Sequence, residues 1–262
     1  MIKALFTSST GMDAQQTVID NTANNLANVN TTGFKMGQAA FQDLLYVTEK
    51  APGSEVSSGL NVPTGLQIGS GVRVAGITKV FTPGALTNTG NPLDVAINGD
   101  GFFQVTLPNG DVRYTRDGNL RLNGVGNIVT TDGFQISPSL TIPSDATSIS
   151  VGSDGTVTVQ TPGSTTPTNV GQLTLARFPN EAGLSAEGGN LFAETASSGS
   201  PNTATPGLNG TGMLQQGFLE SSNVNMVNEM VNLILAQRAY EFNTRSIKAA
   251  DNMLSDTSAL IR

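Results

Sequence analysis

Four aspartates precede glycines in the middle of this chain, Asp100, Asp117, Asp132 and Asp154, and carboxylates in turns are the oxygen donors that calcium sites use. Their spacing fits neither an EF-hand loop nor a nonapeptide repeat. Turn conformation alone explains Asp before Gly, so no metal is expected. A second candidate chemistry is glycan hydrolysis by paired carboxylates, for which Asp94, Asp100, Glu181 and Glu187 are the acids in the same region. Nothing in their order pairs them. The chain has no Cys and no His, which removes thiol nucleophiles, disulfides, imidazole bases and Cys/His zinc sites together. Gly-rich pieces such as Gly65 to Gly76 lack the strand-turn-helix setting and the following Lys of a phosphate loop. The expectation is a protein that is not an enzyme and needs no cofactor.

Composition narrows the partners as well. With 13 Lys+Arg against 20 Asp+Glu the net charge is −7, so the chain lacks the basic footprint that phosphate backbones select. Nucleic acid and small-molecule substrates are therefore not expected. The N-terminus turns polar within a few residues, without the apolar run and small-residue cleavage site of a secretion signal, and no stretch is long and apolar enough to span a bilayer. Export, if it occurs, must read an uncleaved terminus.

What remains is positioned by helices at the two ends. Leu5, Met12, Ile19 and Leu26 recur every seven residues, with Ile2, Ser9, Gln16 and Ala23 as a companion row. The intervening Gly11, Thr17, Asn21, Thr22, Asn24, Asn25 and Asn28 are poor helix formers, so this helix needs a partner to persist. At the other end Met226, Leu233, Tyr240, Ile247, Leu254 and Ile261 repeat the heptad after a capping-type run Ser221-Ser222-Asn223. A further row, Leu235, Phe242 and Ala249, lies two residues on, about 200° around the helix. One row can meet the N-terminal helix; the other calls for a second subunit, or for the central domain. Glu220, Glu229 and Glu241 are expected in solvated or interhelical ion pairs with Arg238, Arg245 and Lys248.

Between the ends, short β-type runs alternate with Asn-Gly and Asp-Gly dipeptides suited to hairpin turns. The runs are Leu93 to Ile97, Phe102 to Leu107, Val112 to Thr115, Leu140 to Ile142, Thr156 to Gln160 and Leu173 to Phe178. Residues 49–71 and 197–212, rich in Gly, Ser, Thr, Asn and Pro, read as linkers or exposed loops. The expected fold is α+β. N- and C-terminal helices (1–30 and 222–262) form a coiled-coil layer, residues 31–75 an exit and extended linker, and residues 76–221 a mainly antiparallel β domain.

The stretch Ala23-Asn24-Asn25-Leu26-Ala27-Asn28-Val29-Asn30-Thr31-Thr32-Gly33-Phe34-Lys35 resembles the signature of flagellar rod and hook proteins. Physically it joins a helix exit, a glycine free to take positive φ and an aromatic anchor. The run from Ser222 to Met230, continuing to Gln237-Arg238-Ala239-Tyr240-Glu241, is similar to the C-terminal helix of the same family, and Asn91 to Phe103 and Tyr114 to Gly118 to its shared β domain.

The resemblance implies a structural subunit of the bacterial flagellum. It would be exported by the flagellar type III apparatus and assembled with copies of itself into a hollow helical drive shaft crossing the periplasm. Pro63 to Val72 resembles a segment of the distal rod type, with the proximal type as the alternative; a secreted oligomeric adhesin is the reading from outside the family. The implied neighbours are proximal rod proteins, hook or hook-side subunits, and the ring proteins in peptidoglycan and outer membrane. The implied assembly contacts are Leu5, Met12, Ile19, Leu26, Asn28, Gly33, Phe34, Met226, Leu233, Tyr240, Ile247 and Leu254.

Overall fold

A computed structural model describes residues 2–52, 55–57, 60–61, 64–164 and 166–260. Ile261 of the C-terminal heptad row, and part of the 49–71 segment including Pro63, lie outside the described residues. The chain divides into two units, one built from Met1–Leu26, Gly37–Thr78 and Asn225–Arg262, the other from Ala27–Met36 and Lys79–Val224. The fold is α+β, with one helix near each end of the chain and a mainly antiparallel β region between them.

In the first unit, helix α1 (Ile2–Ala27) and helix α2 (Met226–Leu260) lie antiparallel. Three contacts fix that direction: Ser8 Oγ donates to Ser246 Oγ at 3.2 Å, Thr244 Oγ1 to Met12 Sδ at 3.5 Å, and Asn25 Nδ2 to Glu229 Oε2 at 3.1 Å. The residues of α1 that are fully buried are small or polar: Ser8, Ala14, Thr22 and Asn25. Leu5, Met12, Ile19 and Leu26 are half-buried beside them, whereas Ser9, Gln16 and Ala23 of the expected companion row face solvent. At Gly11 a Cβ would stand 2.9 Å from Asn243 Nδ2, a side-chain end that can turn aside.

The asparagines that weaken α1 as an isolated helix have tertiary work. Asn25 Oδ1 accepts from Gly37 N–H at 2.9 Å while its Nδ2 donates to Gly37 O at 2.9 Å, and Asn21 Nδ2 donates to the same carbonyl at 2.7 Å. The chain thereby turns into strand Gly37–Asp43, which pairs with Val72–Lys79. The 49–71 stretch, which reads as a linker, carries paired strands: Val47–Lys50 with Leu66–Ile68, and Glu55–Ser57 with Leu60–Asn61. Helix α2 is capped by Asn225, whose Oδ1 accepts from the N–H groups of Val227 and Asn228, and not by the Ser221-Ser222-Asn223 run.

The second unit is built on a nine-stranded sheet with Phe102–Thr106 at its centre, beside a three-stranded sheet of Ser148–Val151, Thr156–Gln160 and Thr168–Gln172. Successive side chains on a strand point to opposite faces, and the adjacent Phe102 and Phe103 serve two different cores. Phe103 joins the aliphatic cluster of Val95, Ile97, Leu120, Ile136 and Leu175. Phe102 joins an aromatic one with Tyr114, Phe178 and Phe192. Edge-to-face ring pairs with centroids 4.7 Å apart for Tyr114 and Phe178 and 5.9 Å for Phe102 and Phe178 fix its geometry.

The predicted run Val112 to Thr115 is a strand over those residues. Leu140 to Ile142 is not a strand and contributes only a bridge from Thr141 to Asn127. The stretch 197–212, read as a loop, contains strand Asn202–Ala204, paired with Leu175–Arg177. Gly118 is required by close approach and not by a turn, because a Cβ there would lie 1.9 Å from Val95 O.

Candidate functional site

Helix α2 presents two rows of different character. Along the face toward α1, Glu229, Ala236 and Ala250 are buried and Leu233 and Ile247 half-buried. Met226, Tyr240 and Leu254 belong to the same predicted row but are more exposed, at 43%, 39% and 36%. Away from that face, Leu235 is 62% and Phe242 66% exposed, flanked by Val227, Val231 and Ile234, also exposed. A sequence of large apolar side chains along one helix flank is costly in water unless something covers it. Phe242 is met in this chain by Arg245, whose guanidinium lies 5.9 Å from the ring centroid.

The exit from α1 is a built turn in the second unit. Asn28 Oδ1 accepts from Thr31 Oγ1 at 3.1 Å and Asn28 O from Thr31 N–H at 3.2 Å. Gly33 follows at φ +67°, its N–H donating to Glu220 O at 2.8 Å. Phe34 is half-buried beneath Lys79 Nζ, 4.5 Å from the ring centroid. Gly33 is constrained twice, by its left-handed φ and by the backbone of Arg116 and Asp117, which a Cβ would meet at 2.8 Å. We expect Gly33→Ala to cost more than the roughly 1–2 kcal/mol of a left-handed alanine, because neither clashing group is a side chain that can turn away. Urea denaturation of the variant against the parent chain measures this; a loss below that range would show that the turn relaxes.

Sequence reasoning missed the most buried charged group among the described residues. Lys35, Arg116 and Glu220 are nearly inaccessible, and Glu220 lies between the two cations. Lys35 Nζ reaches Glu220 Oε1 at 2.6 Å and donates to Thr82 O at 2.8 Å; Arg116 Nε is 3.3 Å from Glu220 Oε2. Arg116 Nη1 donates to Gly101 O at 2.6 Å and Nη2 to Gly99 O at 2.8 Å, and Gly84 N–H donates to Glu220 Oε1 at 2.9 Å. Burial pushes the Lys35 ammonium below the usual lysine range and the Arg116 charge adds to that, against the pull of Glu220.

The cluster ties together the α1 exit, the sheet and the strand Phe218–Glu220 that precedes α2. Asn223 adds to the same junction: its Oδ1 accepts from Met36 N–H at 2.7 Å and its Nδ2 donates to Val80 O at 2.8 Å. Glu220 is thus not a solvated helix-surface acid as the sequence suggests, since it ends a strand inside the β unit. Glu229 departs in the same way, buried against Asn25, whereas Glu241 does pair with Arg238, at 3.2 Å. Nothing in residue order marked the cluster, because a Lys after an aromatic residue ordinarily reads as a solvated surface group and its acid lies 185 residues away.

Most of the acids with conceivable chemistry have structural partners. Asp94 accepts from Thr89 Oγ1 at 2.6 Å and Asn91 Nδ2 at 2.9 Å, and Glu187 from Arg113 Nε at 2.6 Å. Asp100 lies 3.7 Å from Arg177, and burial together with the Asp100 charge raises the Glu181 carboxyl above the usual range. Asp117 accepts from Thr32 Oγ1 at 2.9 Å, and hydrogen bonds from Thr156 hold Asp154 below the usual carboxylate range. Among the described residues no group of three or more acids is arranged to hold a metal ion. No helix among them is long and apolar enough to cross a membrane.

Comparison with known proteins covers the same three regions. Residues 5–35 match the family described as Flagella basal body rod protein, residues 96–159 the Flagellar hook protein FlgE/F/G D1 domain, and residues 215–260 the Flagellar basal body rod FlgEFG protein C-terminal. The chain is 49% identical over 260 residues to the flagellar basal-body rod protein FlgG of Buchnera aphidicola (subsp. Acyrthosiphon pisum), covering 99% of this chain and 100% of the relative. It is 48% identical to the FlgG of Caulobacter vibrioides, covering 99% of each chain. It is 35% identical to the flagellar basal-body rod protein FlgF of the same organism, covering 96% of this chain and 93% of the relative.

Proposed function

The chain belongs to the flagellar basal-body rod and hook protein family, and on that premise we propose that it is a structural subunit of the distal rod, a hollow helical shaft that carries torque from motor to hook. The observation that carries the reading is the uncovered apolar flank of α2 around Leu235 and Phe242. A row of that kind gains free energy when a neighbouring copy buries it, and repeating one such heterologous contact generates a helical polymer. The Caulobacter pair supports the distal over the proximal position, at 48% identity to FlgG against 35% to FlgF.

In this reading the two terminal helices form a coiled-coil inner layer around a channel. Leu5, Met12, Ile19, Leu26, Met226, Leu233, Tyr240, Ile247 and Leu254 supply its contacts, while Asn28, Gly33 and Phe34 set the exit toward an outer β wall. The work is packing and not catalysis, and no cofactor enters it. Neighbours are copies of the same chain, proximal rod subunits, hook-side subunits and the ring proteins of the peptidoglycan and outer membrane. Delivery through the flagellar export apparatus would need no cleaved signal.

Deleting the gene in its host and imaging isolated hook-basal bodies by electron microscopy tests the assignment. We expect particles that stop before the distal rod and carry no hook. Complete rods and hooks would remove the distal-rod reading.

A further inference from the structure

The chain contains four Asn-Gly pairs, Asn98-Gly99, Asn109-Gly110, Asn123-Gly124 and Asn209-Gly210. An Asn side chain followed by Gly is the least hindered setting for the backbone nitrogen to reach the carboxamide carbon, so each pair is a potential site of self-modification. Three of the four are held away from that reaction. Asn98 lies in a strand, registered opposite Met213. The Asn109 carboxamide is bonded at both ends to Asp111, and the Gly110 N–H is committed to Leu107 O at 2.9 Å. Asn123 Oδ1 accepts from the N–H groups of Val125 and Asn127 at 3.0 and 2.9 Å.

Asn209 is exposed like the other three but lacks their restraints. It lies outside any strand, stands at φ +52°, and among the described residues neither its carboxamide nor the Gly210 N–H has a hydrogen-bond partner. Arg177, itself 3.7 Å from Asp100 Oδ2, borders the same residue: the position a Cβ would take on Gly210 is 2.9 Å from its Nη1. Positive charge there favours the peptide nitrogen in its deprotonated, nucleophilic form.

We propose that Asn209 is a site of spontaneous deamidation. Hydroxide removes the Gly210 amide proton, the nitrogen attacks Asn209 Cγ, and the C–N bond that forms closes a five-membered succinimide as the side-chain nitrogen leaves as ammonia. Water then adds to one of the two ring carbonyls and opens the ring, giving aspartate or, when the main chain now runs through Cβ, isoaspartate. No electrons are exchanged with any other reagent. Each event adds one negative charge to a chain of net charge −7, beside the exposed apolar side chains of Leu208 and Met213 and within reach of Arg177.

The full chain, incubated folded at mildly alkaline pH and mapped by peptide mass spectrometry with enzymatic isoaspartate labelling, tests the site. Conversion at Asn209 should outpace the other three pairs several-fold, rising with hydroxide concentration. The same incubation in concentrated urea should bring all four to similar rates, because the protection of the other three is structural. Asn209→Gln should abolish the leading signal and leave the others unchanged. Conversion at Asn109 or Asn123 in the folded chain as fast as at Asn209, or none at Asn209, would overturn the proposal.

Discussion

Replacing Glu220 by Gln should lower the melting temperature of the β unit by about 10 °C or more, whereas Lys35→Met should cost clearly less. The difference follows from counting charges in the buried cluster. Lys35 and Arg116 share one carboxylate, so the Lys35→Met chain keeps a balanced pair of Arg116 and Glu220, but the Glu220→Gln chain buries two cations with no anion between them. Removing one partner of a buried ion pair typically costs about 3–5 kcal/mol, because the group left behind has lost its water and gained nothing in return. For a chain of this size each kcal/mol corresponds to roughly 2–4 °C. The direction of the Lys35 shift agrees with this asymmetry: burial and Arg116 already oppose its charge, so losing that charge relieves part of the strain. Thermal melts of both variants followed by circular dichroism give the comparison. Equal losses, or a milder effect of Glu220→Gln, would mean that the hydrogen bonds made with the Gly84 and Thr82 backbone carry the junction and the balance of charge does not.

The double variant Leu235→Asp, Phe242→Asp should fold as the parent does and fail to polymerise. Both side chains are already in water in the single chain, so surface substitution there is expected to change stability by no more than about 0.5 kcal/mol. Burying a Leu and a Phe at a contact between copies is worth about 1.5–3 kcal/mol each, and a carboxylate in their place must instead be desolvated. At about 1.4 kcal/mol per tenfold, the concentration needed for assembly should rise by on the order of a hundredfold or more. Light scattering of purified chain over a concentration series reads this directly, with the melting curve as control for folding. Normal assembly of a normally folded variant would move the contact to another face and leave the α2 flank without a role.

Much of the architecture is legible in residue order because it rests on local rules. Heptad spacing names both helices, and alternation between turn dipeptides finds Val112 to Thr115 and Thr156 to Gln160 as strands. The Gly33 turn could be anticipated from a glycine placed just past a helix. The 49–71 and 197–212 segments were not legible as strands. Short polar strands bury little, and their pairing depends on a partner that sequence proximity does not reveal, as with Asn202–Ala204 on Leu175–Arg177.

The sequence by itself determined the amphipathic ends, the hairpin-rich middle and the absence of imidazole and thiol chemistry, because periodicity, turn preference and composition are properties of neighbours along a chain. It also presented the second apolar row of α2, since any helix carrying Leu235 and Phe242 seven residues apart must display them together. Only the tertiary structure decided that the α1 face nearest α2 is small and polar, with Ser8, Ala14, Thr22 and Asn25 buried and the larger Leu5, Met12, Ile19 and Leu26 to one side. Only it brought Lys35, Arg116 and Glu220 together across 185 residues of chain between the outer two. Charge pairing at that separation has no local signature: the cost of burying each ion is met by groups that become neighbours only after the sheet has formed around them.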